Sequence, residues 1–361
     1  MKIVIFGLTV SSSWGNGHAT LWRGLCSAFA LRGHHVVFFE RDLPFYASAR
    51  DLTELPGGGK LILYSDWSEI STAARRHLAD ADVGMVTSYC PDGIAASALV
   101  LDSPARWRVF YDLDTPVTLA SLSAGEPVPY IGPRRLADFD LVLSFTGGDS
   151  LRQLREVLGA RRAEPLYGSA DPEAHHPVER CGRYAADLSY LGTWAADRDR
   201  MLRILFLDAA ARLPDAKFLI GGSKYDAGFA WRPNIYFVSH VPPGEHPAFY
   251  CSSRLTLNVT RSVMASVGYC PSGRLFEAAC CGVPLLTDYW PGLEEFFEPG
   301  AEILPVSTTN EVLGALQLSD ADLRRIAAAA RERTLARHTA AVRAVEFEKI
   351  LESVGVEEAV A

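Results

Sequence analysis

The sequence predicts two consecutive α/β units, each a doubly wound parallel sheet, followed by a helical tail. Three observations predict it. The N-terminal half repeats a short apolar run rich in β-branched residues, a Gly-rich or polar turn, and a helical stretch. The pattern breaks near residues 165–182 into the turn-rich PLYGSADPEAHHPVERCG and then restarts. Finally, the 361 residues amount, at roughly 150 per domain, to two domains and a remainder.

Taken in order, the strands of the first unit are expected at 3–8, 35–40, 60–64, 83–87, 108–111 and 141–145. The first helix, 20–31, carries Leu21, Leu25, Ala28 and Phe29 on one face and stops at Arg32-Gly33, a left-handed C-cap signal. In the second unit a strand at 188–191 precedes a helix at 197–213, and strands follow at 217–220, 235–238 and 255–259. A helix at 272–281 and a strand at 283–287 complete it. Residues 320–353 are Ala- and Arg-rich with helical spacing (Leu323, Ile326, Ala330; Val342, Val345, Ile350). The expected domains are 1–178, 179–335 and a terminal helix, 336–361, that crosses back to the first domain.

Composition removes several function classes. With 48% hydrophobic and 22% charged residues, the chain is not of the disordered, collagenous or disulfide-scaffold kind. A net charge of −8 gives no positive field to collect the phosphates of a nucleic acid or an anionic membrane. Seven cysteines are an odd number, with no C-x-x-C pair and no His at zinc-ligand spacing, which is the usage of reduced thiols in a cytoplasmic protein. The opening MKIVIFGLTVSSSWGNGH places a short apolar run behind one Lys and reads as a first strand rather than a signal peptide or membrane span.

Ligands of open parallel sheets bind just outside the strand carboxyl ends, so a cleft between the two units is the expected site. Three segments there carry chemistry. In Trp14-Gly15-Asn16-Gly17-His18 the glycines permit close backbone approach, the opening helix presents free N–H groups, and His18 is placed to take a proton from a hydroxyl. The alternative is a His that caps the helix or lies hydrogen-bonded in the core. Gly15, Gly17 and Glu40 also imitate a dinucleotide fingerprint, but Thr20 replaces its third glycine and the preceding loop is long. At the end of an apolar strand, Asp112 and Asp114 can orient an imidazole or bind substrate hydroxyls, or simply cap the following turn. In the third segment, PSGRLFEAACCGVPLLTD, the turn Ser272-Gly273 opens a short helix. Exposed N–H groups and Arg274 suit a diphosphate, and Glu277, one turn on, suits vicinal ribose hydroxyls. Against that stands a plain i,i+3 ion pair.

The G-x-G-H loop leading to ALRGHHVVF, and the run RLFEAACCGVPLLTDYWPGLEEFF, resemble nucleotide-sugar glycosyltransferases of the GT-B fold. Within that fold the chain is similar to the group related to the spore-maturation protein CgeB. The resemblance implies a metal-independent hexosyltransferase with no cofactor, using a UDP- or TDP-type sugar donor and a small-molecule or glycan acceptor. It implies that His240 and Val241 receive the base. Arg274 and Glu277 would hold diphosphate and ribose, Gly192, Thr193 and Arg198 would line the phosphates, and the loop from Asp288 through Gly292 to Glu294 would face the sugar. His18 matches the base of inverting members, with Asp112 as its orienting acid. Retaining members with an E-x7-E motif carry a second Glu where this chain has Tyr269. Other activities left open are an NAD(P)-dependent oxidoreductase, a non-hydrolysing nucleotide-sugar epimerase and a non-catalytic nucleotide-sugar binding protein.

Overall fold

The computed structural model describes residues 1–226 and 228–360, the last six of these by their helical backbone alone. It divides into two units, Met1–Tyr167 with Ala340–Ala361, and Gly168–Thr339.

Unit 1 holds strands β1 (Lys2–Gly7), β2 (His35–Arg41), β3 (Lys60–Tyr64), β4 (Val83–Thr87), β5 (Trp107–Asp112), β6 (Leu141–Ser144) and β7 (Ala163–Pro165). They pair in the order β3-β2-β1-β4-β5-β6-β7, all parallel. Buried on both faces, β1 and β2 read as unbroken apolar runs rather than alternating ones. One face packs on the helix His18–Leu31 through Trp22, Leu25 and Phe29; the other packs on Ala74, Leu78, Val100 and Leu154. That helix ends at Arg32, and Gly33 follows at φ +77°, the left-handed turn that glycine adopts without strain. Its start, His18, is two residues earlier than expected, because Gly17 and not a side chain occupies the N-cap.

Unit 2 repeats the plan with β8 (Ala186–Leu191), β9 (Phe218–Gly221), β10 (Ile235–Val238), β11 (Ser253–Asn258), β12 (Leu285–Thr287) and β13 (Leu304–Pro305) in the parallel order β10-β9-β8-β11-β12-β13. The stretch expected as one helix over 197–213 is helical throughout but not uniform. A π segment, Arg203–Leu207, joins the α-helices Ala196–Leu202 and Asp208–Arg212.

Three expectations are corrected. The edge strands β7 and β13 are additional; each is three residues or fewer and ends in Pro, which cannot donate to a ladder and is tolerated at a sheet edge. Residues 168–178 belong with unit 2, not unit 1: Ala170 bridges Thr339 there, and the His175 ring lies 5.9 Å from that of His246. Finally, the boundary expected between 335 and 336 falls between Thr339 and Ala340, after the helix Asp320–Arg337 and before the helix Ala340–Val360. The chain turns at His338, whose ring stacks 4.6 Å from Phe276. The first helix lies in unit 2 and the second in unit 1, where Phe347 packs 5.3 Å from Phe29.

Candidate functional site

In both units the strand order reverses beside the first strand, at β1/β4 and at β8/β11. Loops leaving adjacent strands in opposite directions open a crevice at such a point, and the predicted residues gather there.

In unit 1 the loop after β1 is held from below by Glu40 at the end of β2. This buried carboxylate accepts from Thr9 Oγ1 (2.7 Å), Val10 N (2.8 Å), Ser11 N (3.0 Å) and Ser11 Oγ (2.5 Å). Every bond it makes shapes the loop, which removes it as the ribose acid of a dinucleotide site. Gly15 turns at φ +60°, Asn16 Oδ1 accepts from His18 N (3.0 Å), Trp14 N donates to Ser12 Oγ, and space is open where a Cβ on Gly17 would point. The imidazole of His18 thus stands at the first turn of its helix, and its Nε2 lies 3.0 Å from Asp114 Oδ2.

Asp112, expected in that place, is not the partner. It is fully buried, accepts from Asp114 N (3.1 Å), and burial pushes its carboxyl up to about 6 against the pull of the Thr118 and Ser88 hydroxyls. The physical reason is the strand end itself. Asp112 still belongs to β5 and is buried there, whereas Asp114 lies two residues past the strand end, at the N-cap of the next helix. His18 also faces Tyr89, ring centroids 6.0 Å apart. Tyr89 adopts φ +61°, a conformation costly for a bulky residue and concentrated at functional sites. The sequence gives no sign of it.

In unit 2 Ser272 stands at the N-cap of the helix Gly273–Cys280, but its hydroxyl accepts from Arg274 Nε (3.1 Å) rather than from a helix N–H. The first-turn amides therefore have no side-chain cap. The Arg274 guanidinium spans the reversal point, donating from Nη1 to Leu191 O at the end of β8 (2.6 Å) and from Nη2 to Val259 O just past β11 (3.3 Å), with Tyr190 beneath it. Gly192 leaves the room: a Cβ there would lie 2.7 Å from Arg274 Nη1. Arg198 donates from Nη1 to Thr193 O (3.1 Å), while its buried Nε has no partner among the described residues. Burial, then the nearby charges of Arg274 and Arg261, lower its pKa. Arg261, paired with Asp197 (2.8 Å), is a member of this cluster that periodicity alone does not reveal.

The remaining predicted residues divide. Glu277 is buried one turn beyond Arg274, with burial raising its pKa; Tyr250 donates to its Oε2 at 3.4 Å. It is therefore not half of a surface ion pair. His240 follows β10 and is half-buried, and the carbonyl of Val241 faces His246 Nε2 at 3.2 Å. Asp288 is buried and accepts from Thr260 N (2.8 Å) and Oγ1 (2.9 Å), which fixes the end of β11. Gly292 turns at φ +85° against the Tyr269 ring. Sequence reasoning missed His175 and His246, which lie beside Glu277 with their pKa values pushed down to about 4 by burial.

None of the seven cysteines, all of them described, forms a disulfide, and no described helix is long and apolar enough to cross a membrane.

Residues 200–349 match a family described as "Glycosyl transferase-like". Comparison with curated proteins finds no match. Among solved structures, the chain is similar to sucrose-phosphate synthase from Thermosynechococcus elongatus, at 14% identity and TM-score 0.71, covering 99% of this chain and 100% of that one. It is similar to HepE from Anabaena in complex with UDP and glucose, at 11% identity and TM-score 0.68, covering 97% and 99%. An alpha-glucosyltransferase in complex with UDP and a 13-mer DNA is similar at 12% identity and TM-score 0.69, covering 98% and 99%. The chain therefore has the two-sheet GT-B fold of glycosyltransferases, and its residues 200–349 carry the glycosyl transferase-like sequence.

Proposed function

We propose that the protein transfers a sugar from a nucleoside diphosphate donor of the UDP or TDP type to an acceptor hydroxyl, unit 2 holding the donor and unit 1 supplying the base. One observation carries it: Arg274, Arg198 and Arg261 converge at the strand reversal of unit 2, next to the uncapped N-terminus of the helix Gly273–Cys280. Three guanidiniums, one of them with its pKa lowered by burial and then by the charges of the other two, and with a buried N–H left unpartnered among the described residues, form a site that an anion would stabilise. UDP in the structural neighbours agrees with a diphosphate there.

In this scheme Asp114 holds His18 by Nε2, leaving Nδ1 with its lone pair to take the proton of the acceptor hydroxyl. As the acceptor oxygen attacks the anomeric carbon, the diphosphate leaves with the bonding pair, stabilised by the helix amides and Arg274. A single displacement of this kind inverts the anomeric centre. Asp112 has no part in the proton transfer. The Glu277 carboxylate accepts from ribose hydroxyls, and no metal step is needed.

The test is calorimetry with UDP, TDP and GDP, followed by an assay for free nucleoside diphosphate with a panel of acceptors. Binding of NAD(P) in place of any of these would overturn the proposal.

A further inference from the structure

In unit 2, His175, His246 and Glu277 come from three separate stretches: the connection 168–178, the helix His246–Cys251 and the helix Gly273–Cys280. One donor atom from each lies within 4.8 Å of the others. Both ring nitrogens of His175, which is 1% exposed, and Nδ1 of His246 are buried with no hydrogen-bond partner among the described residues. A buried polar group left unsatisfied costs about 1–3 kcal/mol, so three such nitrogens in one place call for an occupant.

The geometry around them specifies its class. The Val241 carbonyl, 3.2 Å from His246 Nε2, fixes the proton on that nitrogen and leaves the Nδ1 lone pair facing Glu277 Oε2 at 3.8 Å. That separation is too long for a hydrogen bond. It suits two ligands of one ion, since bonds of about 2.0–2.2 Å put tetrahedral ligands roughly 3.5 Å apart. An imidazole whose other nitrogen is tied to a carbonyl is the usual second layer of a metal site. Two imidazoles and one carboxylate favour zinc and its neighbours over magnesium or calcium, which take oxygen ligands.

We propose that His175, His246 and Glu277 form a binding site for a divalent transition-metal ion of the zinc class, joining the connection 168–178 to two helices of unit 2. Oε2 of Glu277 faces the site, while Oε1 is turned toward Gly273, 3.9 Å from the position of a Cβ there. The ion thus occupies one carboxylate oxygen and leaves the other free. The site shares Glu277 with the nucleotide proposal, the ion taking Oε2 and the ribose Oε1, and its test reads metal uptake without nucleotide.

The full-length protein, stripped with a chelator and titrated with Zn2+ alone by calorimetry, is expected to bind one equivalent. His175→Gln and His246→Gln are each expected to weaken binding by about tenfold or more, with circular dichroism confirming that the variants fold. X-ray absorption at the zinc edge of the loaded wild type, which needs no variant, is expected to report two imidazoles and a carboxylate oxygen. Absence of stoichiometric uptake by the wild type overturns the site, as does unchanged affinity in both folded variants, or sulfur scattering that places zinc on the cysteines.

Discussion

The His18 imidazole meets Asp114 through Nε2 at 3.0 Å, and both side chains are less than one-fifth exposed. At that burial the pair is shielded from bulk water, and Nδ1 of the ring is itself buried with no hydrogen-bond partner among the described residues. In the proposed reaction Asp114 would do two things to the ring: select the tautomer with hydrogen on Nε2, and stabilise the imidazolium that forms once Nδ1 has taken a proton.

If His18 is the base, His18→Ala lowers kcat by about 100-fold or more while the dissociation constant for the nucleotide stays unchanged, because general-base contributions are typically of order 10²–10⁴. Steady-state kinetics beside calorimetry separate the two quantities. An undiminished kcat would remove His18 from the reaction.

Asp114→Asn keeps the shape but loses the charge that supports the imidazolium. Turnover is expected to fall by at least about tenfold with little change in KM, the pattern of an interaction made only in the transition state. Asp112→Asn is expected to leave kcat within a few-fold of wild type, so a larger loss at 112 than at 114 would reverse the assignment.

Asp112 has a second consequence. Its carboxyl titrates near 6 in the folded chain against an ordinary 3.8, with burial the leading cause. Between these values the folded protein keeps a proton that the unfolded chain has lost, so stability is highest below about pH 4 on account of this group and falls as pH rises to about 6. The loss is of order 2–3 kcal/mol. Asp112→Asn is therefore expected to be more stable than wild type at pH 7.5 and to lack this part of the pH dependence, as measured by urea denaturation from pH 4 to 8. Equal stability at pH 7.5 would contradict it.

The doubly wound plan is legible in the sequence because central parallel strands bury both faces and so read as apolar runs such as Ile3 to Phe6 and Val36 to Phe39. The edge strands β7 and β13 escape, since they are three and two residues long and β13 is only half-buried. At the site, the loop-to-helix turn at His18 and the Arg274 turn are visible as local Gly-rich patterns. Pairings are not: His18 and Asp114 are 96 positions apart, and which of two neighbouring acids meets the ring depends on where β5 stops. His175 and Arg261 escape for the same reason, because their significance lies in what the fold brings beside them.

Gly192 supplies a further test of the diphosphate site. Its backbone needs no positive φ, but a Cβ would lie 2.7 Å from both Arg274 Nη1 and Tyr190 OH. The guanidinium is the end of a flexible side chain and can move, but Tyr190 is fully buried in the core of unit 2, so Gly192→Ala is expected to fold with a lowered Tm while displacing the guanidinium. Loss of one charge-assisted hydrogen bond, about 1.5–3 kcal/mol, weakens UDP binding by roughly ten- to 100-fold. Unchanged affinity in calorimetry would take Arg274 out of the diphosphate site.

The helix Ala340–Val360 is held to unit 1 by burial or by charge, and two substitutions one residue apart separate these. Phe347 is fully buried in a cluster with Phe29, Ala344 and Leu351, whereas Glu348 pairs with Arg32 and, at 2.5 Å, with His34 near the surface. Truncating a packed Phe removes its transfer free energy and leaves a cavity, a cost of about 3–5 kcal/mol. Of the two partners of Glu348 only Arg32 is open to solvent, and a surface ion pair contributes about 0–1 kcal/mol. In urea denaturation followed by tryptophan fluorescence, Phe347→Ala is expected to lower the midpoint of the transition reporting Trp22 severalfold more than Glu348→Gln does. Raising the salt concentration is expected to shrink only the Glu348→Gln effect, because screening acts on exposed charge and not on packing. A larger loss for Glu348→Gln would mean that the helix is held by its charges.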